Sequence, residues 1–119
     1  MKKAVIIDDD LGVIEALQAA LELWDFEGVG VRENKKILST LREVQPQLIF
    51  LDLLLSGTDG QEVSRLIRSE KEFARIPIIL MSAHPRGKDI STKIDVNGFL
   101  PKPFSLDVLQ HLIRTVSSH

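Results

Sequence analysis

Apolar positions along this chain fall into two kinds of segment that alternate. Short runs occur at Ala4 to Ile7, Gly28 to Val31, Leu48 to Leu51, Ile78 to Met81 and Gly98 to Leu100, and three of the five are nearly continuous apolar stretches. That is the pattern of strands buried on both faces. Between the runs, apolar residues recur at spacings of three and four: Val13, Leu17, Ala20 and Leu21, then Val63, Leu66 and Ile67, then Leu109, Leu112, Ile113 and Val116. These are helical stripes that face a core. The alternation predicts a strand followed by a helix five times over, an α/β domain whose parallel sheet is covered on both sides. Ser105 precedes the last stripe as an N-cap, while Val108 three residues on leaves the reciprocal capping box absent. From His84 to Asn97 the pattern thins to Ile90 and Ile94 after Pro85 and Gly87, which fits a short helix or a mobile loop.

At 119 residues the chain has the size of one domain, residues 1–119. Fifteen basic and 17 acidic side chains leave a net charge of −2, so no broad attraction to nucleic acid or anionic lipid is expected. No apolar run approaches the ~20 residues that span a bilayer. The start "MKKAVIIDDD" reaches carboxylates after four apolar residues, which predicts no secretory signal and a soluble, cytoplasmic protein. Cysteine is absent, so a metal would be held by oxygen or imidazole, which favours a hard cation such as Mg²⁺.

In an open parallel sheet, ligands bind beyond the carboxyl ends of the strands. Past the first run stand Asp8, Asp9 and Asp10; past the third, Asp52; past the fourth, Ser82; past the fifth, Lys102 between Pro101 and Pro103. A strand order of 2-1-3-4-5, taken from known doubly wound sheets rather than from this sequence, makes the first and third strands neighbours and gathers Asp8, Asp9 and Asp52. Three carboxylates so close cannot all stay ionised unpaired, and a divalent cation resolves the conflict. Nucleophilic carboxylate, cation site, lysine and hydroxyl are together what phosphoryl transfer to an aspartate requires. Taken singly, each residue has a plainer reading: Asp10 as a helix cap, Ser82 as a strand-end hydroxyl, Lys102 as solvated surface. His84, His111 and His119 show no ligand spacing and read as surface residues.

The motifs "VIIDDD", "LIFLDLLLSGTDG", "PIILMSAH" and "GFLPKPF" together resemble the receiver domain of two-component response regulators, over essentially the whole chain. The resemblance implies a flavodoxin-like (βα)5 fold and a signalling module rather than an enzyme, one that assists its own phosphorylation and dephosphorylation. It implies that Asp52 accepts a phosphoryl group from the phosphohistidine of a histidine kinase or phosphotransfer protein. Asp8, Asp9, Asp52 and the backbone carbonyl of Leu54 would hold Mg²⁺ (or Mn²⁺), Asp8 mainly through water. Ser82 and Lys102 would stabilise the phosphoryl oxygens, Ser82 and Phe99 would form the switch, the Lys102–Pro103 bond would be cis, and Leu54 and His84 would tune hydrolysis. The changed face, built from the fourth and fifth helices and the fifth strand, would bind a downstream protein partner or a fused output domain absent from this chain. Direct contact with nucleic acid or membrane is not implied.

The chain departs from the family pattern at several places. Ser56 stands where proline is usual, Phe99 replaces the commoner tyrosine, Asp95 and Val96 replace "GA", and the 20 positions from Ser82 to Lys102 are slightly fewer than usual. Apolar Leu54 cannot orient an attacking water, which predicts a persistent phosphoryl group. Two other readings remain: a binding module that has kept the fold and lost the switch, and a Mg-dependent phosphohydrolase resembling haloacid dehalogenases. In the latter Asp8 would be the nucleophile and Asp10 the acid, but Gly12 breaks that motif and Asp52 would have no role.

Overall fold

The computed structural model describes residues 1–117. Numbering only the strands of the main sheet, the elements are β1 (Lys2–Ile7), α1 (Leu11–Glu22), β2 (Phe26–Val31), α2 (Ile37–Val44), β3 (Leu48–Asp52), α3 (Gly60–Ser69), β4 (Ile78–Ser82), α4 (Gly87–Ser91), β5 (Gly98–Pro101) and α5 (Leu106–Ser117). All neighbouring strands of the sheet are parallel, in the order β2-β1-β3-β4-β5. This is the doubly wound, flavodoxin-like arrangement expected from the alternation of runs and stripes.

Strand alternation divides the core between two layers. Ala4 and Ile6 of β1 pack with Ile14, Leu17 and Leu21 of α1 and with Leu109 and Ile113 of α5. Val5 and Ile7, one position out of phase, pack with Ile37 and Leu41 of α2 and Val63 and Ile67 of α3. Each strand extends past its apolar run, because backbone pairing continues where side chains turn polar; Lys2 and Lys3 still face Phe26 and Glu27 in register.

The helical stripes need two corrections. Leu66 is 45% exposed, and α3 instead buries Gly60, Val63, Ser64 and Ile67. Those four positions centre the helix one residue away from Leu66, and Ser64 is accommodated by donating its hydroxyl to the Gln61 carbonyl at 2.8 Å. In α1, Ile14 is the buried residue and Val13 only packs against its edge. Ser105 caps α5, its Oγ accepting the Val108 N–H at 3.1 Å. The uncertain stretch from residue 84 forms α4, five residues long, followed by an irregular segment.

That segment is fastened from outside. Arg68 of α3, only 11% exposed, donates through Nη1 to the carbonyls of Phe73 and Ile76 at 3.1 and 2.7 Å. Its Nε donates to the Asp95 carbonyl at 3.1 Å and its Nη2 to Asn97 Oδ1 at 3.0 Å. Asn97 Oδ1 also accepts the Ile78 N–H at 2.9 Å, which ties the same point to the start of β4. Burial lowers the Arg68 pKa, the nearby Asp95 charge works against this, and the guanidinium fork remains charged.

Candidate functional site

Asp8, Asp9, Asp52, Ser82 and Lys102 all lie at the carboxyl edge of the sheet, because β1, β3, β4 and β5 run parallel and end there. Asp8 is fully buried, and Asp52 and Ser82 are nearly so. Carboxylate oxygens of Asp8, Asp9 and Asp52 lie within 4.8 Å of one another. Lys102 reaches into this group from the end of β5, with Nζ 2.7 Å from Asp8 Oδ2 and 3.3 Å from Asp52 Oδ1.

The charges do not balance without help. Burial pushes the Asp52 carboxyl above the usual carboxylate range, the charge on Asp8 adds to this, and Lys102 offsets part of it. Burial alone would lower the Lys102 pKa, but its bonds to Asp8 and Asp52 outweigh that, so the ammonium holds its proton more tightly than usual. Asp9 is held below the usual range, chiefly by the Ser56 hydroxyl, which donates to Asp9 Oδ2. One lysine therefore faces several carboxylates. An all-oxygen donor set with excess negative charge and one half-exposed member fits a hard divalent cation such as Mg²⁺, and Asp8, Asp9 and Asp52 are the side chains that could hold it.

The turn after β3 places the acceptor candidate. Asp52 ends β3, and the chain then makes a small hairpin, Leu54–Leu55 against Thr58–Asp59, too short for the apolar pattern to foretell. Gly57 at its tip has φ +74°, a conformation that favours glycine. Gly60 then passes so close that a Cβ there would lie 2.4 Å from the Asp52 carbonyl oxygen, so only glycine lets α3 begin against the end of β3. Leu54 is 62% exposed, and its N–H approaches Asp52 Oδ1 at 3.5 Å.

On the other flank, Ser82 Oγ accepts the His84 N–H at 2.9 Å. His84 is exposed, and its Nδ1 accepts the Arg86 N–H at 3.0 Å. Phe99 is partly buried against the α2–α3 layer. Gly87 lies between it and Ser82: a Cβ at that position would come within 2.9 Å of both Phe99 Cε1 and Ser82 Cβ. The Lys102–Pro103 peptide bond is cis. His111 is exposed, and His119 lies outside the described residues.

Asp10 takes the plainer of its two readings. Its Oδ1 accepts the Gly12 N–H at 2.8 Å and the Val13 N–H at 3.4 Å, which caps α1, while its own N–H donates to Asp8 Oδ1 at 2.9 Å. A carboxylate engaged in this way is not placed as a general acid. Two contacts escaped the sequence reading: Ser56 on Asp9, for which the serine in place of proline was the available signal, and the Arg68 hub, for which there was none.

A family profile described as "Response regulator receiver domain" matches residues 4–114. Among curated proteins, the chain is 29% identical over 118 residues to the sensory transduction protein BceR of Halalkalibacterium halodurans, covering 98% of this chain and 50% of that protein. It is 30% identical over 111 residues to BceR of Bacillus subtilis, covering 92% and 47% respectively. The response regulator protein GraR of Staphylococcus aureus is 28% identical over 107 residues, 88% of this chain and 46% of its own length. The chain thus spans about half the length of these relatives.

Among solved structures, the N-terminal signal receiver domain of a Bacteroides fragilis response regulator superposes with a TM-score of 0.88 at 22% identity, covering 100% of this chain and 98% of that one. The receiver domain of the Pseudomonas aeruginosa sensor histidine kinase PA1611, solved with a magnesium ion coordinated in its active-site cleft, gives 0.84 at 23% identity and 98% of both chains. At these identities the superpositions speak for the fold. With the profile covering nearly the whole chain and the acidic edge built as described, this protein belongs to the family of response regulator receiver domains of two-component systems.

Proposed function

We propose that residues 1–119 form one receiver domain in which Asp52 accepts a phosphoryl group from the phosphohistidine of a histidine kinase or phosphotransfer protein. The observation that carries this reading is the position of Asp52: nearly buried at the end of β3, within 4.8 Å of Asp8 and Asp9 and 3.3 Å from Lys102 Nζ. A carboxylate whose ionised form is disfavoured by burial and by a neighbouring carboxylate gains from a cation, which would bring countercharge to it and keep it ionised as a nucleophile.

In this reading the Asp52 carboxylate forms an O–P bond as the donor's P–N bond breaks. Asp8, Asp9 and Asp52, with the Leu54 carbonyl, would hold Mg²⁺ or Mn²⁺. The cation, when bound, supplies the charge that lets an anionic nucleophile and an anionic phosphoryl group meet. Lys102, already placed between Asp8 and Asp52, turns its ammonium to one phosphoryl oxygen. Ser82 donates its hydroxyl to another, a proton left available because its oxygen is at present only an acceptor, from the His84 N–H.

Gly87 then transmits the change. It is wedged between Ser82 and Phe99, so a shift of Ser82 toward Asp52 opens space into which the Phe99 ring moves. The face made by α4, β5 and α5 thereby changes its affinity for a downstream partner or a fused output domain, as a population shift between two packings. Exposed, apolar Leu54 leaves the attacking water unoriented, so the aspartyl phosphate persists, and His84 is the second tuning position. No described helix is long and apolar enough to cross a membrane. We place the domain in the cytoplasm with the kinases that would serve it, and assign it no nucleic-acid contact.

Acetyl phosphate with and without Mg²⁺, followed by peptide mass spectrometry, tests the reading. Metal-dependent addition at Asp52, lost in Asp52→Asn, is the expected outcome. Addition at Asp8 would make the protein a phosphohydrolase, and no addition at all would make it a binding module without a switch.

A further inference from the structure

Lys102 bonds Asp8 and Asp52, but Asp9 is held by a different residue. Ser56, in the hairpin after β3, donates its backbone N–H to Asp9 Oδ2 at 3.0 Å, and its hydroxyl donates to the same oxygen. A carboxylate oxygen has two lone-pair positions, and these two donors occupy both. The contact crosses 47 positions of sequence and joins the end of β1 to the hairpin, so it also fixes where Asp9 points. The hairpin has a second tether on its far strand, where the Asn34 side chain donates to Thr58 Oγ1. Losing the serine hydroxyl would therefore leave the hairpin in place.

We propose that Ser56 is a latch on Asp9 that competes with a divalent cation for this carboxylate, so that the identity of residue 56 sets the metal affinity of the chain. This rests on the reading above that Asp8, Asp9 and Asp52 hold the cation. Two parts of the latch differ in kind. The backbone N–H belongs to the turn and persists in any variant except proline. The hydroxyl can rotate away, and a cation that takes Asp9 Oδ2 displaces it. Ser56 acts through Asp9 and is a positioning residue, not a catalytic one.

Isothermal titration of metal-free protein with Mg²⁺, repeated with Mn²⁺, gives the test, with circular dichroism to confirm that each variant is folded. Wild type is expected to bind one ion, and Asp9→Asn to lose that binding. Ser56→Ala, which keeps the backbone donor, is expected to bind about five- to tenfold tighter, the scale of one competing hydrogen bond. Ser56→Thr keeps the hydroxyl and is expected to match wild type. Equal or weaker binding by Ser56→Ala would overturn the latch, since it would mean that the hydroxyl does not compete or that it prepares Asp9 for the ion. Absence of binding in wild type would instead remove the metal-site reading on which the latch rests.

Discussion

On the β1 side of the site, α1 runs for 12 residues, is capped by Asp10 and buries Ile14, Leu17, Ala20 and Leu21. On the β4 and β5 side, α4 runs for five residues and buries Gly87, with Ile90 only partly covered. The first flank is held by apolar area, the second by polar ties at its margins: Asn97 to β4 and Arg68 to the segment between α4 and β5. Apolar burial is non-directional and survives small displacements, whereas hydrogen bonds hold one geometry and exchange for water when it changes. Asp8 and Asp9 thus sit beside the flank held by apolar area, and Ser82 and Phe99 beside the flank held by polar ties.

The contrast breaks first under core truncation. Leu17→Ala should destabilise the protein by about 3 kcal/mol in urea unfolding, while Ile90→Ala should cost below about 1 kcal/mol. Equal losses would mean that α4 is anchored as firmly as α1. Next comes the polar hub. Arg68→Ala should cost about 1–3 kcal/mol, because it leaves the carbonyls of Phe73 and Ile76 short of partners. It should also speed amide exchange across residues 92–97 while leaving α1 unchanged; uniform acceleration would show that the hub supports the whole fold. The smallest effect has the opposite sign and concerns the acidic edge. The Asp52 pKa is raised in the folded state, chiefly by burial, so the folded protein binds a proton that the unfolded chain has released. Metal-free wild type therefore loses stability as pH rises through the window between the ordinary and the raised value, and stays penalised above it. Asp52→Asn lacks that penalty and should melt higher at neutral pH, with the gap closing as pH falls toward the ordinary aspartate range. A pH-independent gap would assign the effect to packing.

How much of this could be read from the sequence depended on the range of the interaction. Strands such as Leu48 to Leu51 announce themselves because burial on both faces demands a continuous apolar run. The sheet order came from known folds, since local pattern is silent about which strands pair. Strand-end residues were legible because a parallel sheet collects them at one edge whatever the loops do. Leu66 was misread because spacings of three and four fit two adjacent helical faces, and only the surroundings choose between them. Asp10 shows a capping residue whose role is decided within three positions of itself. Ser56 on Asp9 and Arg68 on Asn97 join residues 47 and 29 positions apart through polar side chains, which leave no periodic trace.

The bond from Lys102 to Asp8 spans 94 positions, nearly the length of the domain. During synthesis, β1 and its aspartates leave the ribosome long before the residue that countercharges them, and the acidic edge stays incomplete until the fifth strand has docked. A chain divided between α4 and β5 would divide the site with it, carboxylates on one fragment and lysine on the other.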